Sequence, residues 1–314
     1  MGLAAETPIV RRVRFDWTGT ETDQWHPRLP EFGAAANAVS LLMPYAEPYV
    51  IAMLRAGITE GELDAETSAA TDALIAQEAA HFAAHRDFNV ALTTNSSVAR
   101  RLDSLGRWIF ERLRSRSNAF GIAFAAAFEI LAFCSARWAE ADLRARFGGA
   151  DERSATLFLW HLAEEIEHKG IAHDVMEAHP TARSKYPLAF AVAFLVMIGF
   201  TIVGGLSLFA RKLHVLNPAR WLRLVGWGFS FAFVVLPVAS SSLARDFHPD
   251  ELVDPPWMAM WLTEFDPSTN SLPLWTDAGL SSAATSSTSG DDGLVILPEL
   301  PERILETNKE TLAE

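Results

Sequence analysis

The chain has one cysteine, Cys134, so it cannot carry an internal disulfide framework, and this fits a reducing compartment. It has no phosphate-binding glycine loop, no G-x-S-x-G and no Cys-x-x-Cys, which removes the nucleotide-loop, serine-hydrolase and thiol-redox readings. The only glycine pairs are Gly148-Gly149 and Gly204-Gly205. No basic stripe with interleaved aromatics stands out, so nucleic acid is not expected as a partner. The N-terminal residues lack the apolar run of a secretory signal, and Glu6 replaces the Ser/Thr expected for myristoylation at Gly2. The expected location is the cytoplasm. No strand pattern of any length precedes the C-terminal tail.

Half of the 314 residues are hydrophobic, among them ten Trp and twenty Phe, ample for a sizeable core. Net charge is −13, unevenly placed: from Asp246 to the end there are 14 acidic residues against Arg303 and Lys309. Four regions are expected: an extended arm at 1–30, a helical bundle at 31–180, an apolar helical pair at 181–250, and an acidic, largely disordered tail at 251–314. Within the tail, 278–293 is the clearest candidate for disorder.

The periodicity predicts helices near 32–56, 66–92, 118–147 and 152–178. The first is expected to kink at Pro44 and Pro48 and to stop at Gly57. Gly148-Gly149 closes the third, Asp151 caps the fourth, and His179-Pro180 ends it. Residues 93–117, polar and then basic-amphipathic, suit a connection running the length of a bundle. Four long helices with the longest link between the second and third make an all-α, ferritin-like four-helix bundle.

Two uncharged stretches follow, 187–210 and 224–244, each long enough to cross a bilayer. Arg211, Lys212, Arg220 and Arg223 lie between them and would be pushed outward by a cytoplasmic catalytic domain, against the positive-inside tendency. A pair covering the bundle or resting on a membrane surface is therefore preferred to a transmembrane hairpin. Membrane association, where it occurs, is assigned to 187–244.

The chemistry lies in four carboxylates on four helices. Glu47 sits on the first; Glu78 and His81 form a Glu-x-x-His pair on the second; Glu129 stands in an apolar run on the third; Glu165 and His168 form a second Glu-x-x-His pair on the fourth. Residues three apart share a helix face, so each pair can reach one metal from one helix. Four such helices close a cage of four carboxylates and two imidazoles, the arrangement of di-iron and di-manganese bundles. Two metal ions are expected, iron first, with manganese or zinc as alternatives.

His85, one turn after His81, and His161, one turn before Glu165, are candidates for a further ligand or for a group supporting the ligands. Glu164 competes with Glu165, which the repeated spacing prefers. Glu167 reads as a surface or ion-pairing residue, Arg86 and Asn89 as helix-end polar groups that can bond to ligands, Cys134 as a core thiol, and His173 as non-ligating.

At these residues the chain resembles a bacterial family labelled predicted metal-dependent hydrolase. The resemblance covers about 38–250. It is carried by LLMPYAEPYVIAMLR around Glu47, QEAAHFAAHRDFN at 77–89, WHLAEEIEHKGIAHDVMEA at 160–178, and Phe247-His248-Pro249. It implies a metal role for Glu47, Glu78, His81, Glu129, Glu165 and His168, and favours His85 and His161. Ile130 stands where that family often has His, and His173 where it usually has Phe.

Two enzyme readings follow, with no catalytic residue assigned beyond the ligands. Oxygen-dependent oxidation of a small apolar or lipid-like substrate, served by a redox partner, is placed first by analogy with carboxylate-rich bundles. Metal-dependent hydrolysis through an activated water is the alternative. A non-catalytic role in iron handling or as a membrane-linked helical protein is the third reading. A membrane surface or a second copy of the chain are the macromolecular partners considered.

Overall fold

The computed structural model describes residues 7–17, 22–210 and 216–276. Among them the chain is almost wholly α-helical, and the one β-type pairing is an isolated bridge between Asp266 and Ser271. The helices are α1 (Pro30–Glu60), α2 (Ala65–Asn95), α3 (Ser97–Leu113), α4 (Asn118–Glu140), α5 (Leu143–Phe147), α6 (Glu152–Ala178), α7 (Tyr186–Phe209), α8 (Pro218–Ser242) and α9 (Pro256–Leu262). The all-α expectation holds, with α1, α2, α4 and α6 near the positions of the four helices expected before residue 180.

Several boundaries differ for physical reasons. α1 runs through Pro44, Pro48 and Gly57 to Glu60. Pro44 has no N–H for the Ser40 carbonyl, and Asn89 Nδ2 of α2 donates to that carbonyl instead, at 2.7 Å. Gly57 is a contact position rather than a stop, because a Cβ there would collide with Val175 of α6. The link at 93–117 is itself helical: Ser96 caps α3 by accepting from Ala99 N, and α3 lays Leu102, Phe110 and Leu113 inward. The third expected helix breaks after Glu140, and the short α5 precedes Gly149, whose φ of +74° needs glycine. Asp151 caps α6 as expected, accepting from Ser154 N at 2.9 Å.

α4 lies at the centre, packed against α1, α6 and α7, with Glu129 its one ionisable group between Asn118 and Arg137 apart from the Cys134 thiol. Cys134 is a buried core thiol, and burial pushes it up to about 12. α7 covers α1 and α4 with one face: Phe190, Ala193, Met197, Phe200 and Phe209 are buried. Each such large side chain contributes about 1.5–3 kcal/mol on burial. Gly204 and Gly205 let α7 approach α1, since added Cβ atoms would lie 2.7 Å from Ala38 Cβ and 3.0 Å from Ala35 Cα. α8 touches α4 and little else. Its N-terminal end is tied to α1 by Arg220 and Arg223, which pair with the buried Glu31 at 3.0 and 2.6 Å. Two of the four basic residues between the apolar stretches therefore turn inward; Arg211 and Lys212 lie outside the described residues.

The acidic segment after 250 is more ordered than its composition suggests. As far as 276 it packs on the bundle, with Met258, Trp261, Leu262 and Trp275 buried and α9 against α6. Glu140 accepts from the Trp257 and Met258 backbone N–H groups, which fixes the start of α9. These apolar anchors outweigh the segment's charge. The expected disorder at 278–293 lies outside the described residues.

Candidate metal centre

Each Glu-x-x-His pair sits mid-helix, so its two side chains leave one face less than a turn apart. The faces of α2 and α6 meet Glu47 of α1 and Glu129 of α4 in the bundle interior. The structure brings all six side chains together with His85 and His161, and all eight are buried. Four groups of ligand-type atoms lie within 4.8 Å of one another: Glu78, Glu129, Glu165 and His168; Glu47, Glu78 and His81; Glu47, His85 and His161; and His81, His161 and Glu165. Shared members join these into one continuous cluster able to coordinate metal ions.

Each imidazole is oriented from behind. His168 Nε2 donates to Gln77 Oε1 at 3.0 Å, which leaves Nδ1 facing Glu78 Oε1 at 3.0 Å, Glu165 Oε2 at 3.2 Å and Glu129 Oε2 at 3.4 Å. His81 Nε2 donates to Glu164 Oε2 at 2.8 Å, so its Nδ1 faces Glu78 and Glu165 at 3.8 and 3.9 Å. Glu164 therefore stands behind His81 rather than inside the cluster. Arg11 holds it there, with Nη1 3.1 Å from Glu164 Oε1 and 3.0 Å from Glu167 Oε2. Backing of an imidazole by a carboxylate or amide is the usual support of a metal-binding histidine.

A second chain orients His161. Asn89 Oδ1 accepts from Ser40 Oγ at 2.8 Å, and Ser40 Oγ accepts from His85 Nδ1 at 2.9 Å. His85 Nε2 is then the acceptor for His161 Nδ1 at 2.6 Å. The remaining nitrogen, His161 Nε2, lies 2.8 Å from Glu165 Oε1 and 3.8 Å from Glu47 Oε1. Burial, then the neighbouring imidazoles, hold His85 well below the ordinary histidine range, as this neutral tautomer requires.

The carboxylates divide into two kinds. Burial, then Glu78, pushes Glu47 well above the ordinary range; burial, then Glu165 and Glu78, does the same to Glu129. For Glu165 and Glu78 burial acts upward too, but the imidazoles of His168 with His161 and with His81 override it and hold both low. Burial opposes charge on His81, yet Glu164 and Glu78 raise it to about 10.

Both oxygens of Glu47, both of Glu129, and His81 Nδ1 are buried with no hydrogen-bond partner. Orphaned polar atoms in a dry interior are costly, and four carboxylates set among imidazoles form a donor set that divalent cations satisfy and neutralise. The residues fit a metal-binding centre.

Some supports were not legible beforehand. Gln77 directly precedes Glu78, but only the fold shows it reaching His168. Arg11 and Ser40 carry no motif. Arg86 is exposed and pairs with Asp87, away from the cluster, and Glu167 pairs with Arg11. His173 is buried but meets His248 edge to face, outside the cluster.

A family model described as a predicted metal-dependent hydrolase matches residues 9–252. No curated protein and no solved structure matches the chain. The match spans most of the sequence and includes every residue of the cluster.

Proposed function

The chain belongs to the predicted metal-dependent hydrolase family, and from that premise we propose that it is a binuclear metal-dependent hydrolase whose centre is the α1–α2–α4–α6 cluster. The observation that carries the reading is the set of buried, unpartnered oxygens on Glu47 and Glu129. Glu47, Glu78, His81, Glu129, Glu165 and His168 would hold the metals, with His161 as a further ligand and His85 behind it. A bound pair of divalent ions supplies an acidified water and polarises a carbonyl or phosphoryl oxygen. The chain's own groups prepare that chemistry. Gln77 and Glu164 orient His168 and His81, and the Ser40–His85 chain keeps His161 Nε2 beside Glu165 and Glu47. The apolar walls exclude bulk water.

A second reading, oxygen-dependent oxidation of an apolar substrate, is favoured by one observation. Four carboxylates outnumber the imidazoles facing them directly, a harder donor set than zinc sites commonly use and one suited to iron or manganese. Metal analysis of the purified protein, with ester and phosphoester turnover measured beside oxygen uptake after iron loading, separates the two. Zinc or manganese with hydrolytic turnover supports the first reading, iron-dependent oxygen uptake replaces it with the second, and failure of wild-type protein to retain any metal removes both.

We also propose attachment to the cytoplasmic face of a membrane. Leu222, Val225, Phe229, Phe233 and Leu236 of α8 are exposed at spacings of three and four, one continuous apolar stripe, and Leu195, Ile202 and Val203 of α7 are exposed as well. α7 is packed along α1 and α4, which favours attachment through an exposed face over an independent crossing.

A further inference from the structure

A cavity of about 590 Å³ lies between α1, α4, α6, α7 and α8. Its volume is that of a small-molecule pocket, roughly 300–1,000 Å³. One end is the cluster itself, where His85, His161 and Glu165 form part of the wall. At the other end is Glu31, twelve residues before Met43, the last wall residue on α1, and so about 18 Å away along the helix. Glu31 is neutralised by Arg220 and Arg223. Between the two ends the wall is almost entirely apolar.

The wall is long as well as apolar. On α7 it runs from Phe194 to Phe209 and on α8 from Trp221 to Leu236, about 22 Å of each helix. That exceeds one leaflet of a bilayer's hydrocarbon core, about 15 Å. The side facing α1 and α4 is buried, as at Met43, Phe128 and Ala139. The side formed by α7 and α8 is exposed, as at Ile202, Val225 and Leu236. The cavity therefore passes from the outer apolar faces of α7 and α8 to the metal cluster.

Resting on the reading of the cluster as a metal centre, we propose that this cavity binds a single long, unbranched hydrocarbon chain of a membrane amphiphile. The chain enters between α7 and α8 and lies along them, with its reactive group at Glu165 and His161. Three features favour this occupant over a protein segment. The wall offers no unpaired backbone groups to a peptide, since its helices satisfy their own. Its one carboxylate outside the cluster is already ion-paired. Its mouth is continuous with the stripe proposed to meet lipid. A compact polar substrate would leave most of the length unfilled.

Two glycines of α8 make a matched test. Neither Gly226 nor Gly228 has any atom within 4 Å of an added Cβ, yet only Gly228 lines the cavity. Being two residues apart, they face nearly opposite directions. Replacing a helical glycine raises helix propensity, so G226F and G228F are both expected to fold. The probe is cis-parinaric acid, a fluorescent fatty acid, presented in phosphatidylcholine vesicles to the full chain. Energy transfer from tryptophan, with Trp138, Trp221 and Trp227 on the wall, reports its binding.

Wild type and G226F are expected to show saturable transfer that palmitate, but not butyrate, displaces. G228F is expected to bind about tenfold or more weakly, the effect of excluding roughly two methylene groups. Equal binding by G228F and wild type, or equal losses in both variants, overturns the proposal, as does transfer that palmitate cannot displace. Metal content is measured on the same samples. Wild type that holds metal but binds no probe defeats this inference alone. Wild type that binds the probe at the Gly228 site without metal leaves the inference standing and removes the metal reading.

Discussion

α4 and α8 are both long and apolar enough to cross a membrane, yet 89% of α4's apolar window is buried inside the protein against 11% of α8's. Composition does not separate them; neighbours do. α4 presents alanines at 123, 125, 126, 127, 132, 136 and 139, and these let α1, α6 and α7 close around it. α8 places Phe229, Phe233 and Leu236 outward with nothing over them. The one acid of α4's apolar run, Glu129, would be prohibitive in lipid and is useful only among other ligands. An apolar helix with a lone carboxylate marks the middle of a site; an apolar helix without one, ended by inward-turned arginines, marks its cover.

The largest effect expected from this contrast comes from placing the same charge on each helix. Ala126→Lys buries an unpaired ammonium in the bundle and should cost about 4 kcal/mol or more, leaving little folded protein in circular dichroism and thermal melts. Phe233→Lys should change stability by no more than about 0.5 kcal/mol while reducing vesicle flotation by about tenfold. Comparable unfolding by both variants would erase the distinction between core and cover.

Two histidines packed edge to face repeat the contrast on a smaller scale. His173 of α6 is buried and His248, beyond α8, is half-buried, with ring centroids 5.2 Å apart. Burial, then the charge of His248, pushes His173 down to about 4; a hydrogen bond to Asp174 raises His248. A histidine lowered on folding contributes its full stability above the unfolded value of 6.5 and loses it as pH falls toward 4. The loss over that window is about 3 kcal/mol. His173→Phe should remove this part of the acid sensitivity, seen as a shallower fall of urea-unfolding stability between those pH values. An unchanged slope would mean that His173 is already accessible to protons.

Glu164→Gln tests the polar side of the bundle, which has no counterpart on α8. Without a full carboxylate behind it, His81 should lose orientation and basicity, weakening metal affinity by about 10- to 100-fold while helix content stays unchanged. Chelator competition measures the change, and the exposed Arg86→Ala should leave affinity as in wild type.

How much could be read in advance follows from the same physics. The four acids and two paired histidines were legible because helix periodicity turns a spacing of three into a shared face, and because Glu129 has no polar company in sequence. His85 and His161 were visible as neighbours at one turn, but their order in a Ser40–His85–His161 chain required the fold. Arg11 was invisible: its partners, Glu164 and Glu167, lie some 150 positions away, and no local pattern encodes that distance. The end of α1 was misread because Gly57, a plausible stop in sequence, is instead the position where Val175 of another helix comes close. The order of 251–276 was missed because scattered tryptophans were outweighed by acid and serine in the composition.

The smallest expected effect probes whether α4 and α8 unfold together. Ser117 caps α4 by accepting from Phe120 N, and Asn217 caps α8 by accepting from Ala219 N. Losing either cap costs its helix about 1 kcal/mol. Because α4 is enclosed on every side, Ser117→Ala should lower the global unfolding free energy by that amount and speed exchange of the slowest amides throughout the bundle. Because α8 leans on the bundle by one edge, Asn217→Ala should speed exchange only within α8 and leave the global midpoint where it was. Equal global shifts from the two variants would show that α8 is part of the cooperative core, and its exposed stripe would then need another explanation than a lipid-facing cover.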